Sequence, residues 1–371
     1  MTAPVHHPTG PEPVQLLTPE GIRTDHPDHV FDGDTAAVAA LYRDLVLVRR
    51  VDTEAYALQR HGELGLWPPS LGQEACQVGS ARALRRQDFA FPTYRDHGVA
   101  WSRGVPPEKL LGLYRGVSLG GWDPADHGYA LPAIIIGAQT LHAAGYAMGV
   151  TFDGDVGTGD PDRDTAVIAY LGDGATSQGD VNEALDWAAV FGLPVVFLIE
   201  NNQYAISSPV ARQSAVPLAQ RAEGFGLPGV RVDGNDVLAC HAVTSAALTR
   251  ARDGEGATLI EAVTYRMGAH TTSDDPGRYR EAAETEEWSA RDPLLRVRRH
   301  LESVDWPESF FDDLDTEADD LGERLRAACR ALPEPDLATL FDRVHVDPDP
   351  TLAAQREEYV AWRAGFDGSA A

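Results

Sequence analysis

The chain has 371 residues, 43% hydrophobic and 24% charged, ordinary globular values with room for one large or two modest domains. Against 57 acidic residues stand 31 basic ones, and a net charge of −26 repels phosphate backbones and excludes a nucleic-acid role. No apolar run approaches the roughly 18 residues of a membrane span, and no basic end followed by an apolar stretch marks a secretory signal. The three cysteines, Cys76, Cys240 and Cys329, are far apart, which excludes a disulfide scaffold or zinc finger and fits a reducing cytoplasm. Lys109 is the only lysine and follows no glycine-rich loop, so Schiff-base and P-loop chemistry are also excluded.

Residues 1–34 are rich in proline and histidine without periodicity, and read as a mobile N-terminal arm. A main domain is expected over 35–290. Val38, Leu41, Leu45 and Val48 recur at helical spacing, which predicts a helix from Thr35 to about Arg60. SLGQEACQVGSARAL (70–84) reads as a turn into a second helix, and further helices are expected at 106–115 and 138–149. TAVIAYL (165–171) is a continuous apolar run, the pattern of a strand buried on both faces. Ser177–Phe191 reads as a helix with Val181, Leu185, Ala188 and Phe191 on one face and Ser177 and Asp180 at its cap. PVVFLIE (194–200), Gly229–Val232, a helix over Val237–Arg252 and TLIEAVTY (258–265) complete a βαβαβ alternation. The fold class is therefore α/β, a doubly wound parallel sheet with helices on both faces. After about Arg291 the strands stop, and 291–371 reads as a C-terminal extension of short helices whose acidic run, DDLDTEADDLGERL, is a solvated face.

In such a sheet, ligands sit beyond the carboxyl ends of the strands. Two unusual features fall there. The strand at 165–171 ends in Gly172-Asp173-Gly174, and the strand at 194–200 ends in Asn201-Asn202, with 26 residues between Gly174 and Asn201. The glycines permit a tight turn and close approach to a phosphate, and the following helix can aim its N-terminus at negative charge. Asp173 and Asn202 offer hard oxygens suited to Mg²⁺ or Ca²⁺, and a backbone carbonyl near Tyr204 can join them. A rival reading, a Mg²⁺-dependent phosphatase built on Asp153-Gly154-Asp155, fails because Gly157 stands where Thr or Val is required and no lysine follows.

The GDG and NN pair matches the thiamine diphosphate fingerprint, and from there the chain resembles a specific family. Across roughly 35–345 it is similar to the α subunit of heterotetrameric 2-oxo acid dehydrogenases, through SLGQEA (70–75), TYRDHG (93–98), IIIGAQTLHAAGYAMG (134–149), YLGDGATSQGDVNEALDWA (170–188), ENNQYAIS (200–207), RVDGND (231–236) and YRMGAHTTSDDPGRYR (265–280). The resemblance implies the thiamine diphosphate-binding fold, with Asp173, Asn202 and the Tyr204 carbonyl holding Mg²⁺. It implies that Tyr94 and Arg95 bind the diphosphate beside the Gly172-Asp173-Gly174-Ala175 turn. Ile136 or Ile206 is then the wedge that keeps the cofactor bent. By the same resemblance His270 is the catalytic residue, facing the cofactor's reactive end, contacting the diphosphate and assisting transfer to lipoamide.

The glutamate that activates the aminopyrimidine ring belongs to a second domain, for which no room is expected here. By resemblance a β subunit supplies it in an α₂β₂ assembly, and the acyl group passes to the lipoyl domain of a dihydrolipoyl acyltransferase. Substrates within the family are pyruvate, branched-chain 2-oxo acids such as 3-methyl-2-oxobutanoate, and acetoin. A non-catalytic scaffold is the remaining alternative, opposed by intact Arg95, Asp173, Asn202 and His270. Thr271 and Glu281 stand where some members carry regulatory phosphoserines, so kinase control is not expected.

Overall fold

The computed structural model describes residues 10–333 and 335–367. Its strands are β1 (Phe89–Phe91), β2 (Val167–Gly172), β3 (Val195–Asn201), β4 (Tyr204–Ala205), β5 (Ser208–Pro209), β6 (Gly229–Asp233) and β7 (Thr258–Val263). β4 and β5 form a small antiparallel hairpin, and the other five form one parallel sheet in the order β1-β2-β3-β7-β6. The helices are α1 (Thr35–Arg60), α2 (Glu74–Arg82), α3 (His97–Ser102), α4 (Pro107–Arg115), α5 (Pro124–His127), α6 (Ala138–Asp153), α7 (Gly179–Val190), α8 (Val237–Arg252), α9 (Ala282–Ser289), α10 (Pro293–Ser303), α11 (Glu308–Ala331) and α12 (Pro350–Asp367). None of them is long and apolar enough to cross a membrane, among the described residues.

The sheet is buried on both faces, as its apolar runs require. Val167, Ala169 and Leu171 of β2 and Val195, Phe197 and Ile199 of β3 pack against α6 and α7, through Ala143, Ala147, Val181 and Leu185. Ile168, Tyr170, Val196 and Leu198 point the other way, into a larger core shared with α1, α2, α8, α10 and α11. Successive residues alternate faces because strand side chains have a period of two. The chain leaves β3 for the far edge at β6 and returns to insert β7 beside β3. The doubly wound α/β class expected from the sequence is the one observed.

Four expectations change. Residues 10–34, read as part of a mobile arm, are docked. Val14 bridges to Val232 of the edge strand, and the Leu16 and Leu17 amides both donate to Asp236 Oδ2 at 2.6 Å. The short apolar set Val14, Leu16, Leu17 and Phe31 is buried, and composition averaged over a proline-rich stretch hides it. Residues 1–9 lie outside the described residues. Ser177 does not cap α7. Asp173–Ser177 wind a 3₁₀ turn closed by Thr176 Oγ1 on the Asp173 carbonyl (2.7 Å), and α7 starts only at Gly179. Phe191 follows the helix end and is 57% exposed, so it does not share the face of Val181, Leu185 and Ala188. Finally, the acidic run belongs to one 24-residue helix, α11, not to short helices. Phe311, Leu314, Ala318, Leu321 and Leu325 bury its apolar stripe against the α1 side while its carboxylates face outward, Glu317 and Asp319 meeting Arg43 and Arg50 of α1.

Candidate active site

A cavity of about 420 Å³ opens at the carboxyl ends of β1, β2 and β3. Asn201, the first residue of the NN pair, turns away from it and donates Nδ2 to Glu261 Oε1 at 2.7 Å, whereas Tyr94, Arg95, Ile136, Gly172, Asp173, Gly174, Ala175, Asn202, Tyr204, Ile206 and His270 all line it. They come from five separate segments, and only the parallel sheet brings their ends to one place.

The floor is the turn after β2. A Cβ on Gly172 would meet no protein atom within 4 Å, so its backbone faces open space. A Cβ on Gly174 would instead stand 2.6 Å from the Ala205 Cβ, so this glycine lets the β4–β5 hairpin close over the turn. The turn itself, not the α7 N-terminus, presents its backbone to the cavity. Asp173 is buried, and burial pushes its carboxyl up to about 6 although Gln213 donates to Oδ2 at 3.0 Å and Arg266 and Arg95 oppose the shift. A buried carboxylate so short of compensation is suited to a cation.

Beside it, Asn202 donates Nδ2 to Gln73 Oε1 at 2.8 Å, which leaves its Oδ1 as the atom available to the cavity. The Tyr204 carbonyl accepts from Arg266 Nη1 at 2.7 Å. Asp173, Asn202 and this carbonyl form an all-oxygen donor set, the chemistry Mg²⁺ prefers. Among the described residues no group of three or more His, Cys, Asp or Glu forms an alternative metal cluster.

Beside them are two buried guanidinium groups. Arg95 donates to the Pro69 carbonyl (2.6 Å) and the His270 carbonyl (2.9 Å) and contacts His270 Nδ1 (3.2 Å). Arg266 donates to the carbonyls of Tyr204 and Ile206 (2.7 Å each) and to the Tyr279 hydroxyl (3.1 Å). These hydrogen bonds all end on neutral groups, and the carboxyls of Asp173, Asp96, Glu200 and Asp274 act on the two charges only through space, so an anion in the cavity would be drawn to both. Tyr94 lies under the Arg95 guanidinium, 5.5 Å from charge to ring centre, and the Tyr114 hydroxyl fixes the Tyr94 carbonyl.

His270 sits on the loop after β7, its amide held by Asp274 Oδ2 at 2.8 Å. Burial, then the charges of Arg95 and Arg266, lower its imidazole to about 3. Because a guanidinium can only donate, the Arg95 contact makes Nδ1 the acceptor and puts the ring proton on Nε2. The residue is therefore a neutral Nε2–H donor. An anion docked against the two arginines would relax the shift by cancelling their charge.

Ile136 and Ile206 are both partly exposed at the mouth. Ile206 carries a left-handed backbone, φ 55°, costly for a β-branched side chain and held by Arg266 on its carbonyl. Sequence reasoning did not single out Gln73, Glu200, Gln213 or Arg266. Gln73 and Arg266 lie inside the SLGQEA and YRMGAH segments, but nothing in their spacing marks them individually. Glu200, buried and hydrogen-bonded through Gln77, shares its surroundings with Asp96, and burial reinforced by that neighbour raises its carboxyl well above the usual range.

A sequence profile of the family described as Dehydrogenase E1 component matches residues 42–320. The chain is 46% identical over 358 residues to the 3-methyl-2-oxobutanoate dehydrogenase subunit alpha of Mycobacterium tuberculosis, covering 96% of this chain and 95% of that protein. It is 37% identical over 358 residues to the pyruvate dehydrogenase E1 component subunit alpha of Staphylococcus aureus, covering 94% and 92% respectively. The Staphylococcus epidermidis protein of the same description is also 37% identical, over 354 residues. The chain belongs to the dehydrogenase E1 component family, as an α subunit of the 2-oxo acid dehydrogenase type.

Proposed function

We propose that this chain is the α subunit of a 2-oxo acid dehydrogenase that binds thiamine diphosphate and Mg²⁺ in the cavity at the strand ends. The observation that carries this reading is the meeting, in one cavity, of two buried guanidinium groups whose hydrogen bonds all end on neutral groups with an all-oxygen cation site. Asp173, Asn202 and the Tyr204 carbonyl hold the cation. Arg95, with Tyr94 beneath it, and the Gly172-Asp173-Gly174-Ala175 turn receive the diphosphate. Ile206, whose strained backbone aims its side chain at the mouth, is the apolar support, with Ile136 opposite. Thiamine diphosphate supplies the electron sink that decarboxylation of a 2-oxo acid requires. His270 holds a proton on Nε2 at the reacting end, where it can hydrogen-bond the substrate and assist acyl transfer to a lipoyl group.

The activating glutamate comes from a β subunit in an α₂β₂ assembly, and the lipoyl domain of a dihydrolipoyl acyltransferase takes the acyl group. Higher identity to the 3-methyl-2-oxobutanoate dehydrogenase subunit than to the pyruvate dehydrogenase subunits favours a branched-chain 2-oxo acid over pyruvate, with acetoin third. The three buried, unpaired cysteines support a reducing, cytoplasmic location. The purified chain alone is expected to lack 2-oxo acid decarboxylase activity and to gain it with its β subunit. Turnover by the isolated monomer would overturn the reading. With the pair assembled, kcat/KM for 3-methyl-2-oxobutanoate against pyruvate decides the substrate, and a ratio below one reverses our order.

A further inference from the structure

Gln73 stands outside every role assigned so far. It is fully buried at the start of α2, its main-chain amide held by the Ser70 carbonyl at 2.8 Å, and its side chain lines the cavity. Its Oε1 accepts from Asn202 Nδ2 at 2.8 Å, while its Nε2 is buried without a hydrogen-bond partner. An unmade buried hydrogen bond is costly, so an unpartnered amide N–H on a cavity wall indicates a partner that arrives with the ligand. The Asn202 contact matters for a second reason. A free asparagine amide presents nitrogen or oxygen with near-equal ease, and only the oxygen can bind a cation. Besides Gln73, the Asn202 side chain has one other contact, a long 3.4 Å approach of the Tyr204 amide to Oδ1. With its Nε2 directed at an anionic ligand, Gln73 must present Oε1 to Asn202 Nδ2, and the Asn202 oxygen then faces the cavity.

We infer that Gln73 is a positioning residue that fixes the orientation of the Asn202 amide for cation binding and offers its own free N–H to the anionic ligand beside that cation. The inference rests on the reading of Asn202 as a metal ligand. Outer partners that orient ligands typically contribute about 10–100-fold to metal affinity.

The test is a double-mutant cycle on the full chain assembled with its β subunit, read as the Mg²⁺ dissociation constant by calorimetry at saturating thiamine diphosphate. Gln73→Met, close in shape but unable to accept from Asn202, is expected to weaken Mg²⁺ binding about 10–100-fold. In an Asn202→Asp background the two side-chain oxygens are equivalent and need no orientation. There, adding Gln73→Met is expected to change Mg²⁺ affinity by less than about threefold, because the coupling is confined to the pair. A structural role at the start of α2 would lower affinity equally in both backgrounds, and that result overturns the inference, as does an unchanged Mg²⁺ constant in Gln73→Met. A crystal structure of the wild-type assembly loaded with Mg²⁺ and thiamine diphosphate gives a check that needs no variant. Asn202 Nδ2 is expected to remain hydrogen-bonded to Gln73 Oε1, and separation of the two overturns the inference. Wild-type protein that binds thiamine diphosphate without any Mg²⁺ dependence would instead defeat the underlying metal reading.

Discussion

The two walls of the cavity are made by different means. On one side the turn after β2 and the end of β3 are continuations of buried strands, locked by sheet register (Gly172 opposite Glu200) and by a glycine that only the β4–β5 hairpin could crowd. On the other, the loop from Arg266 to Arg280 has no regular structure beyond a short 3₁₀ turn, Pro276–Arg278. Side chains hold most of it, Arg266 and Asp274 on the Tyr279 hydroxyl and Arg280 on the carbonyls of Arg266, Met267 and Gly268, with three backbone bonds from Arg266, Met267 and Thr272 to the carbonyls of Asn202, Leu71 and Trp67. Backbone hydrogen bonds in a buried sheet open with the global fold, whereas an irregular loop held largely by side chains can open locally. The first wall can thus stay preformed while the second closes with its ligand.

If that contrast is right, damage to the strand-end wall should abolish binding, with the fold intact. Asp173→Ala removes the charged member of the proposed cation site. Breaking a buried charge pairing costs about 3–5 kcal/mol, so thiamine diphosphate affinity in Mg²⁺ should fall at least about 100-fold. Calorimetric titration measures it, and unchanged affinity would remove Asp173 from the metal site.

Damage to the loop wall should act on chemistry before binding. His270→Ala removes the Nε2–H donor, and a positioned proton donor is worth about 100-fold or more. Lipoyl acylation should fall by about that factor, and decarboxylation followed with an artificial electron acceptor by less than about tenfold. Equal losses in both assays, relieved by excess thiamine diphosphate, would make His270 an anchor for the diphosphate instead.

The network itself can be loosened at Arg266. Arg266→Met deletes three hydrogen bonds from a charged donor, each worth about 1.5–3 kcal/mol, shared between the hairpin and the loop. Amide exchange of residues 204–209 and 266–280 should accelerate at least about tenfold while the strands of the sheet keep their protection. Uniform loss of protection across the sheet would mean that the two walls are one cooperative unit.

The same division decides what the sequence reveals. β2, β3 and β7 are legible because burial on both faces writes continuous apolar runs, and GDG and NN are legible because paired turn glycines and two of the chain's four asparagines stand at adjacent, predictable strand ends. β1, only three residues long, carries no period and goes unread. The docking of residues 10–34 rests on a few apolar side chains and on Asp236, 219 residues away from Leu17, a separation no local pattern records. Gln73, Glu200 and Arg266 matter through partners far along the chain, and only the fold identifies them.

The smallest effect separates the walls by pH. His97 and His270 are both lowered to about 3, burial being the first cause in each, but they sit in different regions. His97 belongs to the framework behind the strand ends: it stacks on Trp67 with ring centres 4.1 Å apart, and its Nε2 contacts the Pro68 carbonyl at 3.0 Å. In the unfolded chain it titrates near 6.5, so between about 6.5 and 3 the unfolded state binds the extra proton and acid favours unfolding. Its contribution is whole above about pH 6.5 and erodes as pH falls, by about 1.4 kcal/mol per unit. Buried carboxyls such as Asp52, raised to about 6, act in the opposite direction, so the total slope does not isolate the histidine. The difference between wild type and His97→Gln does. Chemical denaturation should give a wild-type minus variant stability that declines from pH 7 to pH 5. His270 should obey the same sign on a smaller unit, with acid lowering the protection factors of amides in 266–280, once the intrinsic slowing of exchange is divided out, and leaving the global midpoint unmoved, and His270→Gln should cancel that loss. If His270→Gln shifts global unfolding as His97→Gln does, the loop is part of the framework and the contrast between the walls fails.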